Sequence, residues 1–121
     1  MKRFESSEDY LERILMLSKK IKNVRSIDIV NDMKYSKPSV SIAMKKLKEK
    51  GLISIDNKGY ITLTSEGEAI ASNMYERHSI LTKMLISLGV SETQALEDAC
   101  KIEHDLSEES FLAIKKHFEQ I

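Results

Sequence analysis

Residues 36–63 read SKPSVSIAMKKLKEKGLISIDNKGYITL, and the punctuation of this stretch decides the fold. Ser36 offers a hydroxyl cap, Pro38 stands in a first helical turn where its missing N–H does no harm, and Gly51 is a typical helix stop. Between them Val40, Ala43, Met44 and Leu47 recur at helical spacing and mark the core stripe of one helix. After Gly51 the pattern changes. Leu52-Ile53-Ser54-Ile55 and Tyr60-Ile61-Thr62-Leu63 read as strands, and Asp56-Asn57-Lys58-Gly59 between them suits a hairpin tip.

Upstream, Ser26 is placed to cap a short helix with apolar residues Ile27, Ile29, Val30 and Met33, and a turn at Lys34-Tyr35 leads into the basic helix. Ser6-Ser7-Glu8-Asp9 supplies a cap and an acidic first turn for an earlier helix running from about Ser7 to Ile21, with Tyr10, Leu11, Ile14, Leu15 and Leu17 as its apolar positions. Two helices, a tight turn, a longer basic helix and a hairpin make a winged helix-turn-helix over residues 1–64. The basic helix is the candidate recognition helix. Ser36, Lys37 and Pro38 open it, and Ser39, Ser41, Ile42, Lys45 and Lys46 lie outside the core stripe. Hydroxyls near its start suit phosphates or base edges, Ile42 suits a thymine methyl, and Lys45, Lys46 and the wing-tip Lys58 suit backbone phosphates. This helix carries no arginine for a bidentate guanine contact, so the base sequence read stays open.

The charge distribution agrees with a polyanion partner for the first half alone. The net charge over 121 residues is zero, yet residues 1–64 hold 14 Lys/Arg against 8 Asp/Glu, whereas residues 65–121 hold 5 against 11. A basic half joined to an acidic half points to double-stranded DNA for the former, against the plainer use of lysines as a solvated face. No apolar run approaches a membrane span and the N-terminus has no signal-peptide pattern, so a cytoplasmic protein without a membrane partner is expected. The single cysteine cannot form an internal disulfide, in keeping with a reducing compartment.

Residues 65–121 read as all-helical. Thr64-Ser65-Glu66-Gly67-Glu68 opens a helix carrying Ile70, Met74, His78, Leu81, Met84 and Leu85 toward Gly89; Ser91 caps a second to about His104; Ser107 or Glu108 begins a third with Phe111, Ile114 and Phe118. These helices carry more apolar residues than one small subdomain needs, which predicts a homodimer, and a two-fold protein fits a palindromic operator. Within the second helix Cys100, Glu103 and His104 are three and four residues apart, which places a thiol, a carboxylate and an imidazole on one helical face. Mixed sulfur, oxygen and nitrogen donors suit a first-row transition ion better than Ca²⁺ or Mg²⁺. Taken alone, the triplet is more often a small buried thiol beside a solvated Glu-His pair than a metal site.

A winged helix followed by a helical domain with Cys-x-x-Glu-His resembles the DtxR/MntR family of metal-dependent transcriptional repressors. Ser7-Glu8-Asp9-Tyr10-Leu11-Glu12 is similar to the start of that family's manganese-responsive branch, Ser36-Lys37-Pro38-Ser39-Val40-Ser41 to its recognition-helix start, Leu63-Thr64-Ser65-Glu66-Gly67 to its post-wing segment, and Tyr75-Glu76-Arg77-His78 to its linking helix. The resemblance implies a metal site of Asp9, Glu12, His78, Cys100, Glu103 and His104. It also implies repression of iron or manganese uptake genes when the ion is abundant. Without it, Asp9 and Glu12 are ordinary acidic residues favouring a helix macrodipole.

Two departures qualify the resemblance. The manganese branch has glutamate where this chain has Cys100, and the iron branch has cysteine there but methionine in place of Asp9, so the donor set is a hybrid. It suits Fe²⁺ or Mn²⁺ as the physiological divalent transition metal, with Co²⁺ or Zn²⁺ binding in vitro. The ancillary site of the iron branch cannot be built, because Thr82 and Leu96 stand at two of its positions. The chain reaches Ile121 without the third, SH3-like domain of that branch, which implies the two-domain manganese type. The alternative is a winged-helix regulator that answers an organic ligand or oxidation of Cys100, independently of metal. An enzyme is not expected, since neighbours on one helix lack the separate orienting partner and oxyanion donors of a nucleophilic site.

Overall fold

The computed structural model describes residues 7–119. In chain order they form α1 (Ser7–Ser18), α2 (Ser26–Met33), α3 (Lys37–Glu49), β1 (Ile53–Ile55), β2 (Ile61–Leu63), α4 (Ser65–Ser87), α5 (Glu92–Ile102) and α6 (Glu108–Glu119). The chain is thus mainly α, a winged helix-turn-helix followed by helices. It divides into two compact units, residues 1–72 and 73–121, with the division inside α4.

In the first unit the apolar faces read from sequence meet in one core. Tyr10, Leu11 and Ile14 from α1, Ile29 from α2, Val40, Met44 and Leu47 from α3, Ile53 and Ile61 from the hairpin and Ala71 from α4 are all buried there. Lys34 has φ 60°, and its N–H donates to Val30 O at 2.8 Å, so the helix-turn-helix turn rests on one left-handed residue. The hairpin is antiparallel, with Ile53 opposite Leu63 and Ile55 opposite Ile61. Val24 bridges Ile61 from the other side, and Ile61 N–H donates to Val24 O at 2.7 Å. At the tip Asp56 Oδ1 accepts from the backbone N–H groups of Lys58 and Tyr60, both at 2.9 Å, which fixes the wing without any long loop.

Each strand starts one residue later than the sequence reading has it, at Ile53 and Ile61, and three helix boundaries differ. Helix α1 ends at Ser18 rather than near Ile21; the Ser18 hydroxyl donates to Leu15 O at 2.6 Å, and the chain leaves through turns that keep Ile21 exposed. The N-cap of α2 is Arg25, with Ser26 the first helical residue, because the Asp28 carboxylate accepts from Arg25 N–H at 2.8 Å and takes the capping role. Helix α5 ends at Ile102, leaving Glu103 as its C-cap and His104 in the following turn. Ser6, the expected start of the α1 cap, lies outside the described residues.

In the second unit Met74 and Leu81 of α4, Ala95 and Ala99 of α5 and Phe111 of α6 are buried. Gly89, at φ 101°, closes α4, with Val90 N–H donating to Leu85 O at 3.0 Å. Ser91 caps α5 by accepting from Gln94 N–H, and Ser107 caps α6 by accepting from Ser110 N–H. Ile86, Leu88, Leu96 and Leu112 of this unit stay exposed. No helix among the described residues is long and apolar enough to cross a membrane.

Candidate metal centre and nucleic-acid surface

Helix α3 presents the surface that its periodicity predicts. Ser36 is the N-cap, accepting from Ser39 N–H at 3.2 Å and donating its hydroxyl proton to Ser39 Oγ at 2.9 Å, so both hydroxyls are held at the helix start. Ser36, Lys37, Pro38, Ser41, Lys45 and Lys46 are exposed, Ser39 is half-buried, and Ile42 is 57% exposed on a helix whose other branched apolar side chains, Val40 and Leu47, are buried. An apolar side chain held out among lysines and hydroxyls is a poor solvation choice and a good one for a base-edge contact. Lys58 is exposed at the wing tip. Arg25, which the sequence reading did not single out, is exposed and stacks over the Tyr60 ring at 4.8 Å, which adds a guanidinium beside the wing.

Among the acidic residues, burial separates the candidates from the ordinary. On α1, Glu8 lies in a helical first turn where the macrodipole alone explains an acid, whereas Asp9 and Glu12 are only 2% and 3% exposed. Carboxylates are almost never buried to that degree unless they are paired or hold a metal. The macrodipole account of Asp9 and Glu12 is therefore insufficient.

In the second unit Glu103 is completely buried, and its Oε1 lies 3.1 Å from His78 Nδ1. Their elements explain the meeting: His78 sits mid-way along α4, and the end of α5 delivers Glu103 as the C-cap, still in helical conformation at φ −56°, ψ −29°. Cys100 is half-buried in the last turn of α5, and His104 is half-buried in the turn after it. The triplet thus straddles a helix end. Thr82, at one position of the absent ancillary site, donates its hydroxyl proton to His78 O at 2.7 Å, and Leu96, at another, is 43% exposed. The donors of this unit, a thiol, two imidazoles and a carboxylate withdrawn from water, are of types that fit a divalent transition ion.

Arg77 entered the sequence reading only as part of the linking-helix motif, and its burial was not foreseen. Its side chain is buried, and Nη1 donates to Glu103 O at 3.0 Å and to Leu106 O at 2.7 Å. The signal was present in the spacing: residues 74, 77 and 81 follow the helical repeat of one buried face, with an arginine in the middle of it.

Residues 3–61 match the model of the iron-dependent repressor N-terminal DNA-binding domain, and residues 64–121 that of the iron-dependent repressor metal-binding and dimerisation domain. The transcriptional regulator MntR of Escherichia coli O157:H7 is 36% identical over 113 residues, covering 93% of this chain and 73% of that protein. A regulator of the helix-turn-helix type from Methanocaldococcus jannaschii is 31% identical, covering 96% of this chain and 94% of its own length. Among solved structures, the manganese regulator SloR superposes with a TM-score of 0.84 at 29% identity, and a manganese-dependent transcriptional repressor in complex with manganese with 0.85 at 26%. Each alignment covers over nine-tenths of this chain, which spans about half the length of those two solved chains (54% and 52%).

Proposed function

Because the chain belongs to the iron-dependent repressor family, a family of metal-dependent transcriptional regulators, we propose that it represses transcription as a homodimer when a divalent transition ion occupies Asp9, Glu12, His78, Cys100, Glu103 and His104. The observation that carries this reading is the fully buried Glu103 carboxylate set 3.1 Å from His78 Nδ1. Withdrawing a carboxylate from water costs several kcal/mol, on the order of 3 or more, unless a cation or strong donors compensate it. Asp9 and Glu12 repeat the situation on α1.

A divalent cation bound to these residues would supply the positive charge that their carboxylates and the Cys100 thiolate call for. Asp9 and Glu12 belong to the DNA-binding region, and His78, Cys100, Glu103 and His104 to the helical region. Residues 1–64 serve as the winged-helix domain and 65–121 as the sensing and dimerisation domain. In the metal-free protein the like charges of these acids oppose one another. Relief of that repulsion favours the DNA-competent arrangement, and only such a difference in affinity between arrangements shifts a population. Ser36, Lys37, Pro38, Ser39, Ser41, Ile42, Lys45, Lys46 and Lys58 then meet a palindromic operator. Ile86, Leu88, Leu96 and Leu112 supply exposed apolar surface in the dimerising region.

The residues named here bind and do not catalyse, and the protein acts on DNA in the cytoplasm. The oxygen donors of Asp9 and Glu12 suit Mn²⁺ and Fe²⁺ and the Cys100 thiolate favours softer or later ions such as Fe²⁺, Co²⁺ and Zn²⁺, so the physiological ion is Fe²⁺ or Mn²⁺, with repression of the uptake genes for that ion; Co²⁺ and Zn²⁺ bind the same donors in vitro. The test is metal titration of Asp9→Ala and Glu103→Ala beside the parent protein, read by DNA affinity. Each variant is expected to lose metal-stimulated binding. Stimulation that survives in both refutes the site.

A further inference from the structure

The second unit places a buried arginine against the backbone of two proposed ligands. Arg77 Nη1 donates to Glu103 O, and that carbonyl belongs to the peptide joining Glu103 to His104. The same nitrogen donates to Leu106 O, so one guanidinium spans the turn between α5 and α6. Its carbon lies 5.1 Å from the centre of the Phe111 ring, and Nη2 lies 3.8 Å from Glu108 Oε1. The next residue on α4, His78, meets the Glu103 side chain. Two neighbours on one rigid helix thus hold Glu103 twice, one by its backbone and one by its carboxylate.

An arginine here is a costly choice for stability alone. Its Nε makes no hydrogen bond among the described residues, and the one carboxylate it reaches, that of Glu108, is largely exposed at long range. An ion pair of that length to a largely exposed carboxylate gives little net stability, and an apolar side chain of similar volume would fill the space against Phe111. What an apolar side chain cannot do is fix the carbonyls at a helix end, which otherwise shift when the last turn frays. A planar guanidinium with several donors is suited to hold two carbonyls at once.

We propose that Arg77 is a positioning residue for the metal site: it presets the Glu103–His104 peptide so that both side chains are aimed before the ion arrives. This inference rests on the assignment of Glu103 and His104 as ligands. Arg77 touches no ion itself. Its effect therefore belongs in metal affinity and coordination geometry, and residues that orient ligands typically alter affinity by about 10- to 100-fold.

The experiment is anaerobic Co²⁺ titration of the reduced full chain, read by the ligand-field absorption spectrum, for the parent, Arg77→Met, Arg77→Lys and Glu103→Ala. Circular dichroism and urea unfolding of each metal-free protein run alongside. The expected result is loss of the parent spectrum in Glu103→Ala, a shifted spectrum with Co²⁺ affinity lowered about 10-fold or more in Arg77→Met, and an intermediate affinity in Arg77→Lys. Lysine keeps a one-nitrogen donor for the carbonyls that Nη1 holds but lacks the second arm toward Glu108 and the planar face over Phe111. If Arg77→Met does not fold, the Arg77→Lys affinity and spectrum decide. A parent-like spectrum and affinity in both Arg77 variants, with Glu103→Ala defective, overturns the positioning role and leaves the site standing. A parent-like spectrum in Glu103→Ala overturns the ligand assignment and the positioning role together.

Discussion

Gly67→Ala should destabilise this protein, although helix propensity alone predicts the opposite. Gly67 lies in the first turn of α4, where its N–H donates to Thr64 Oγ1 at 3.2 Å. A Cβ at this position would overlap the carbonyl oxygen of Leu52 and come within 2.9 Å of its carbonyl carbon. That carbonyl is not able to move alone, since it accepts from Thr64 N–H at 3.1 Å while the Thr64 hydroxyl donates to Gly51 O at 2.7 Å. Replacing a helical glycine by alanine ordinarily gains up to about 1 kcal/mol. Against that gain stand an overpacking cost of about 1–3 kcal/mol and one or two weakened hydrogen bonds at about 0.5–1.5 kcal/mol each. The balance is a loss of about 2 kcal/mol, or on the order of 8 °C in Tm for a chain of this size. Urea and thermal unfolding of the metal-free protein measure it. A Gly67→Ala protein as stable as the parent, or more stable, would show that the junction of α3, β1 and α4 is not packed as described.

Two further predictions concern charge. Lys45→Ala with Lys46→Ala should weaken DNA binding across sequences and reduce the slope of log affinity against log salt by about 0.9 for each phosphate contact removed; an unchanged slope would mean that α3 does not face the backbone. Lys115 donates to Glu76 at 2.9 Å, and this hydrogen bond, with the charge of Glu76, raises the lysine above its ordinary 10.5. The protonated lysine is favoured by folding, so its stabilisation is fully present below 10.5 and is lost as pH rises through the higher folded value. Glu76→Gln should therefore show a small stability deficit from neutral pH upward that closes at alkaline pH; a deficit that persists there would assign the loss to packing.

The winged-helix unit was legible because its boundaries are carried by residues that act locally. Ser36, Pro38 and Gly51 delimit α3, and Gly59 with Asp56 shapes the wing tip through short-range backbone bonds. The end of α1 was not legible: the apolar pattern continues to Ile21, but the helix stops where Ser18 bonds back to Leu15, an event that periodicity does not encode. The same limit applies to α5, whose spacing runs on through Glu103 and His104 because the C-cap keeps helical dihedrals. Of the candidate site, residue types and spacing pointed to Cys100, Glu103 and His104, and only family resemblance brought in Asp9, Glu12 and His78. The burial of Asp9, Glu12, Glu103 and Arg77 is a tertiary property. A polar residue on an amphipathic helix reads by default as solvent-facing, and only the packed helices show which acids and which arginine have been taken inside.

The most direct test of metal-dependent repression is anaerobic binding of the reduced protein to DNA from upstream of its own gene, at fixed salt, with chelator and then with Mn²⁺, Fe²⁺, Co²⁺ or Zn²⁺ titrated in. Tight, sequence-selective binding by a dimer that appears only with metal is the predicted result, and the order of effective concentrations reports whether Cys100 or the carboxylates set selectivity. Equal affinity for that DNA with chelator and with every ion would contradict it.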